Sequence, residues 1–129
     1  MAKKQDNYLY NCDQVRALDR LAIDRNNISG LELMQRAGMA VFKHILKNYR
    51  KNAITVFCGS GNNGGDGYVI ATLVKEKGIA VQLIHLKQPQ QLKGDAKRAY
   101  EISNEADVPM AYFSPEMMLT DCVVVNALL

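Results

Sequence analysis

The chain has 129 residues, of which 48% are hydrophobic and 22% charged, and its formal net charge is +3. This composition suits one globular domain with a packed core and argues against a disordered chain. The small positive excess comes without a basic-aromatic pattern, which argues against a nucleic-acid-binding protein. The polar N-terminus has no signal-peptide core, and no apolar run is long enough to cross a membrane. We therefore expect a single cytoplasmic domain over residues 1–129, with 1–10 as a loose arm.

Three cysteines lie far apart in the sequence, at Cys12, Cys58 and Cys122. Their spacing matches neither a zinc site nor a disulfide framework. Cys58 and Cys122 lie inside apolar runs, so we predict that both are small buried hydrophobic residues.

Two helices are predicted before the first strand. Over residues 12–24 the apolar residues recur at helical spacing, and Asn11 or Asp13 would be the N-cap. Ser29 and Glu32 have the spacing of a capping box, which predicts a second helix. Small residues on that helix, including Gly38, would let a neighbouring element approach closely.

Strands and helices then alternate. The run 53–58 is a predicted buried strand, followed by a glycine-rich loop over Gly59–Gly67 and a helix from Tyr68 to Lys77 that Gly78 ends. The later predicted elements are a strand over 79–86, a helix over 94–105, a short strand over 110–113 and a last strand over 121–125. This order predicts an α/β fold, a Rossmann-like three-layer domain with a parallel sheet and right-handed crossovers.

The glycine-rich loop contains the residues that are typical of a ligand-binding site. Gly59, Gly61 and Gly64 satisfy G-x-G-x-x-G between a strand and a helix, a context in which backbone N–H groups and the helix dipole hold a phosphate. Glycine would allow positive φ and close approach of the ligand. Asn62, Asn63 and Asp66 add oxygens that suit a hard cation, although Asp66 alone would repel a phosphate. The loop therefore predicts a specialised anion site rather than a plain turn.

The end of the second strand departs from the usual dinucleotide-binding pattern. That pattern has an acid there to hold a ribose hydroxyl, whereas this strand ends His85-Leu86-Lys87. The difference argues against an ordinary NAD(P) dehydrogenase. Lys87 would contact a phosphate or remain solvated. His85 has no predicted partner and is either structural or a base.

Three segments resemble motifs of the NAD(P)H-hydrate epimerase family, the YjeF amino-terminal domain. They are Gly-Ser-Gly-Asn-Asn-Gly-Gly-Asp-Gly-Tyr-Val (59–69), Gly-Leu-Glu-Leu-Met-Gln-Arg-Ala-Gly (30–38) and Asp-Cys-Val-Val-Val-Asn-Ala-Leu-Leu (121–129). The resemblance implies an isomerase that interconverts the epimers of hydrated NADH and NADPH at carbon six of the nicotinamide ring. It also implies a functional link to the NAD(P)H-hydrate dehydratase and a homodimer formed through the amino-terminal helices.

The resemblance also implies roles for individual residues. The dinucleotide would be bound by five residues in a row: Asn62, Asn63, Gly64, Gly65 and Asp66. A potassium ion would be held by Asn63 and by Asn126, which replaces the family's aspartate. Lys87 aligns with a lysine proposed to act in the pocket of some members, and so is the candidate catalytic residue.

Family motifs that follow the last strand would lie beyond Leu129, so the chain is expected to be incomplete relative to the family, with three main strands and unpaired sheet edges. Further catalytic residues would then be absent from it. A non-catalytic nucleotide-binding or scaffold module of the same fold is therefore a second prediction, which Asn126 also favours. The sequence leaves open whether NADH hydrate or NADPH hydrate is preferred.

Overall fold

A computed structural model describes residues 9, 11–26 and 28–128 of the chain. Most of the predicted arm over 1–10 lies outside the described residues, as does Leu129. The helices are α1 (Cys12–Asn26), α2 (Gly30–Tyr49), α3 (Asn62–Glu76) and α4 (Gly94–Glu105). The strands are β1 (Ala53–Cys58), β2 (Val81–His85), β3 (Met110–Tyr112) and β4 (Cys122–Ala127), and a 3-10 turn covers Pro89–Gln91.

The four strands form one parallel sheet in the order β3-β2-β1-β4. This confirms the predicted α/β class and the short strand after residue 110. Since β1 is an inner strand and β4 pairs with it, residues far apart in the chain meet at one edge. The carboxyl ends of all four strands lie at that edge, where ligands of such sheets bind.

The core forms between the sheet and α3, which also packs against α2 and α4. β1 contributes Ile54 and Val56, and β2 contributes Leu83, each at most 1% exposed. α3 contributes Tyr68 and Val74, which are buried to the same degree. Helix α3 therefore lies at the centre of the core, between the sheet and the helices α2 and α4.

The predicted start of α3 was wrong. The helix begins at Asn62 rather than at Tyr68, so the loop after β1 is short and the Asn-Asn-Gly-Gly-Asp run forms the first helical turns. Gly64 packs against the carbonyl oxygen of Gly59, and a Cβ on Gly67 would lie 2.6 Å from the Cys58 Sγ atom. At these helical positions glycine is required because the Cβ of a larger residue would not fit.

The expectation of positive φ in this segment was also wrong. Among the described glycines, positive φ occurs at Gly78 and Gly94. Gly78 follows the C-cap of α3, as predicted, with a φ of 80° that few other residues adopt readily.

Local signals at the first two helices are confirmed. The Asn11 side-chain oxygen accepts from the Gln14 N–H at 2.8 Å, which settles the choice of N-cap for α1. The Ser29 hydroxyl accepts from the Glu32 N–H at 3.1 Å. A Cβ on Gly38 would lie 2.5 Å from a Val69 methyl carbon, so this small residue admits α3 of the same chain.

The three cysteines are free. Cys58 is buried as predicted, whereas Cys122 is only partly buried and Cys12 is exposed. Within the ranges that the structure describes, no helix is long and apolar enough to span a membrane.

Candidate functional site

The start of α3 lies where three strand ends meet. The Gly59 N–H donates to the Ala127 carbonyl at 2.9 Å, which ties the end of β1 to the end of β4. The Leu86 N–H donates to the Cys58 carbonyl at 3.2 Å, which ties the segment after β2 to the same place. The N-cap of α3 is Gly61, which has no side chain to cap the helix. The first amides of this 15-residue helix thus have no capping side chain, and such helix ends commonly bind anions.

A cleft of about 460 Å³ runs beside this helix end, between α1, α2 and the starts of α3 and α4. Two of the predicted binding residues, Asn62 and Asp66, line it because residues four apart share one helix face. Apolar side chains from α1 and α2 form much of the remaining wall: Ile23, Leu33, Met34 and Ala37. Charged residues complete it: Asp19, Arg36 and Asp95. Half of the residues that line the cleft are polar or charged, so it is more polar than most small-molecule sites, which are predominantly apolar.

The carboxyl group of Asp66 lies in an unusual electrostatic environment. Burial, and next the negative charge of Asp19, raise its pKa to about 6. Arg36, which lines the same cleft, pairs instead with Glu32 at 2.7 Å. In the described part of the chain, Asp66 itself has no ion-pair partner. A carboxyl group with this pKa exchanges protons readily near neutral pH.

The two predicted potassium ligands lie at the same edge of the sheet. Asn63 is in the first turn of α3 and half-buried, and Asn126 is in β4 and exposed. The Asn126 side-chain oxygen accepts from the Leu128 N–H at 3.2 Å and keeps a second lone pair. Both residues offer amide oxygens of the kind that hard cations bind, but neither carries a charge. The donor atoms therefore fit a weakly held monovalent cation.

Lys87 lies two residues beyond the end of β2 and is exposed. The backbone bond from Leu86 to Cys58 places it at the edge where α3 begins, although it does not line the cleft. Gln88 next to it accepts a hydrogen bond from the Tyr112 hydroxyl at 3.4 Å. The structure thus brings Lys87 to the predicted edge of the sheet.

Sequence reasoning missed a buried polar pair. His85 was expected to have no partner, but its Nδ1 atom lies 2.8 Å from the Tyr68 hydroxyl. Tyr100 meets both rings edge-on, and Tyr112 lies beside His85. Burial lowers the pKa of His85 and raises that of Tyr68. A signal existed, since a histidine that follows two buried apolar residues at the end of a strand needs a polar partner.

Comparisons with known proteins agree with this architecture. The chain matches the family described as YjeF-related protein N-terminus over residues 30–129. It is 43% identical over 122 residues to the bifunctional NAD(P)H-hydrate repair enzyme Nnr of Coxiella burnetii, covering 94% of this chain and 25% of that protein. It is 37% identical over 124 residues to the NAD(P)H-hydrate epimerase of Rhodobacter capsulatus, covering 87% of this chain and 57% of that one.

The fold also matches the crystal structure of yeast ynu0 (YNL200c), with a TM-score of 0.69 and 22% identity over 82% of this chain and 47% of that chain. At that identity the likeness concerns the fold alone. The structure therefore defines an α/β domain in which an uncapped helix end lies beside a cleft. The chain belongs to the YjeF-related N-terminal family, and it spans between a quarter and somewhat over half of the length of the two curated relatives.

Proposed function

We propose that this protein is an NAD(P)H-hydrate epimerase, which interconverts the two epimers of hydrated NADH and NADPH. The observation that carries the proposal is the start of α3, where no side chain caps the helix and Asn62 and Asp66 line an adjoining cleft. Membership of the YjeF-related family, with relatives named NAD(P)H-hydrate epimerase, supports the assignment.

The phosphates of the dinucleotide would bind at the first turn of α3. Asn62, Asn63 and Gly64 would supply backbone N–H groups there, and the helix dipole favours negative charge. The Gly65 N–H instead donates to the Gly61 carbonyl at 3.2 Å. The nicotinamide half would enter the cleft, where Leu33 and Met34 offer apolar surface for the ring. Asp66 would contact this half of the substrate, since it lies one helical turn beyond Asn62.

A potassium ion would be held by Asn63 and Asn126, whose amide oxygens are suitable donors. When bound, it would offset part of the negative charge of the phosphates. Neutral ligands hold a cation less well than a carboxylate does, so we expect the midpoint of the potassium dependence to be high.

The direct test is a coupled assay. A mixture of hydrated NADPH epimers is first exhausted by the stereospecific dehydratase, and this protein is then added with potassium. Renewed NADPH formation, followed by absorbance, is the expected result. A folded sample that gives no renewed formation would contradict the proposal.

A second candidate is a nucleotide-binding module without turnover. Asn126, at a position where the resemblance implies an aspartate, favours it. Calorimetry with NADP⁺ separates the two, because a binding module would bind the nucleotide and still fail the coupled assay.

A homodimer is proposed for the amino-terminal helices. On α1, Val15, Leu18 and Leu21 are each between 45% and 47% exposed, although they form the apolar stripe of that helix. A second copy of α1 would cover them. Sedimentation of the Leu18→Glu variant is the test: a dimeric wild-type protein and a monomeric variant are expected.

The functional partner would be the NAD(P)H-hydrate dehydratase, which consumes one epimer. The bifunctional name of the Coxiella burnetii relative supports this link.

A further inference from the structure

We propose that Asp66 is the acid–base residue of the epimerisation, the group that takes the proton of the C6 hydroxyl and later returns it. This inference rests on the proposed function and adds a catalytic role to a residue that was expected only to bind the dinucleotide.

The position of Asp66 on α3 suits this role. A phosphate at the first-turn amides would be repelled by a carboxylate beside it, which made Asp66 difficult to explain as a phosphate ligand. The structure separates the two functions. Asp66 lies four residues after Asn62, about 6 Å further along the helix axis, and faces the cleft. It thus lies where the part of the substrate beyond the phosphates would be.

The surroundings of Asp66 keep it free to exchange a proton. The charged groups that line the cleft with it are Asp19 of α1, Arg36 of α2 and Asp95 of α4. Arg36 pairs with Glu32, and Asp95 packs against Gly30 at the start of α2. Burial, and next the like charge of Asp19, favour the protonated form of Asp66. Near neutral pH both forms of Asp66 are therefore populated, as general acid–base catalysis requires.

One carboxyl group is enough for a balanced reaction. The C6 carbon of the hydrate carries a hydroxyl and is bonded to N1. Ionised Asp66 takes the hydroxyl proton, the C6–O bond becomes a carbonyl, and the C6–N1 bond breaks. The electron pair moves to N1 and is delocalised towards the ring carboxamide. Rotation about the C5–C6 bond presents the other carbonyl face, N1 attacks C6, and Asp66 returns the proton to oxygen. No oxidant, reductant or water is consumed.

Other buried groups are less suited to this step. His85 is occupied by Tyr68, and burial raises the pKa of the Cys58 thiol well above its usual range. Neither lines the cleft.

The test compares Asp66→Asn with Asp107→Asn in the coupled epimerase assay, using the full chain. Asp107 lies at the other end of α4 from the cleft and has a φ of 57°, which asparagine adopts readily. We expect Asp66→Asn to lower kcat by about 100-fold or more while KM changes by less than about threefold. Asp107→Asn should keep the wild-type kcat.

The pH dependence of kcat distinguishes a catalytic role of Asp66 from a structural one, because a structural residue would not set the acidic limb of the profile. The acidic limb of the wild-type kcat profile should follow Asp66, and Asp19→Asn should shift it to lower pH by removing the like charge. Asp66→Asn should also gain thermal stability over the wild type as pH rises through 6, since it removes a carboxylate whose ionised form is penalised; this shows that the variant folds.

Two results would overturn the inference in distinguishable ways. An active wild-type protein whose Asp66→Asn variant keeps kcat and only raises KM would leave the proposed function intact and reduce Asp66 to a binding residue. A folded wild-type protein without epimerase activity would overturn the proposed function and this inference together.

Discussion

The Tyr68 hydroxyl lies 2.8 Å from Nδ1 of His85, and both side chains are almost fully buried. Tyr68 belongs to the helix that opens the site, and His85 ends the strand that precedes Lys87. The bond therefore joins the two segments that carry the candidate site, and we expect its loss to lower the free energy of unfolding.

Tyr68→Phe removes this hydroxyl and leaves a buried ring nitrogen without its partner. We expect a loss of about 1–3 kcal/mol in the free energy of unfolding, measured by urea denaturation. Tyr112→Phe is the matched control, because its hydroxyl makes a 3.4 Å bond at the surface and the residue is about half exposed. Equal effects of the two substitutions would contradict a special role for the buried pair.

His85 should make stability depend on pH in a defined direction. Burial lowers its pKa in the folded state, so the unfolded chain binds more protons below the ordinary value of 6.5. Stability from His85 is thus present above about pH 6.5 and is lost as pH falls through the folded pKa. Thermal unfolding of His85→Phe should lack this component, whereas a variant of the exposed His44 should keep it. Identical pH dependence in the wild type and His85→Phe would disprove the assignment.

Gly67→Ala tests whether the glycines of α3 exist for packing. The new Cβ would lie 2.6 Å from the Cys58 Sγ atom and 2.8 Å from the Ala127 Cβ atom. We expect a loss of about 1–3 kcal/mol in the free energy of unfolding, despite the higher helix propensity of alanine. Lys75→Ala, an exposed position of the same helix, should change it by less than about 0.5 kcal/mol. A stabilised Gly67→Ala protein would show that α3 does not pack this closely.

Asn126→Asp introduces the carboxylate that the resemblance implies at this position. A charged ligand should strengthen potassium binding, and we expect the half-maximal potassium concentration in the epimerase assay to fall by about tenfold. Asn52→Asp is the control, because it adds the same charge before the amino end of β1. A potassium midpoint that is unchanged in Asn126→Asp would remove this residue from the proposed ion site.

Lys87→Ala tests the catalytic role that the resemblance implies. The residue is exposed, so folding stability should change by less than about 0.5 kcal/mol. If the amine acts on the substrate, kcat should fall by about 100-fold or more. The exposed Lys51, at the opposite edge of the sheet, provides the matched alanine control. A variant with raised KM and unchanged kcat would make Lys87 a binding residue.

Local patterns in the sequence determined much of the fold. Three features depend only on residues that are close together in the sequence: the Ser29–Glu32 capping spacing, the β-branched run of β1 and the limits of α4. The motif at 59–69 likewise identified the family, because it is contiguous. Such features need no knowledge of distant contacts, which explains why they were predicted correctly.

Only the tertiary structure decided the start of α3, the partner of His85 and the surroundings of Asp66. The glycines at the start of α3 are typical of a loop by composition. Each is required because another part of the chain packs closely against it in the folded protein: Gly59 against Gly64, Met34 against Gly65 and Cys58 against Gly67. Tyr68 and His85 are 17 residues apart, and Asp66 meets Asp19 of another helix. Close packing and burial create these contacts and pKa shifts, and both arise only once the chain has folded.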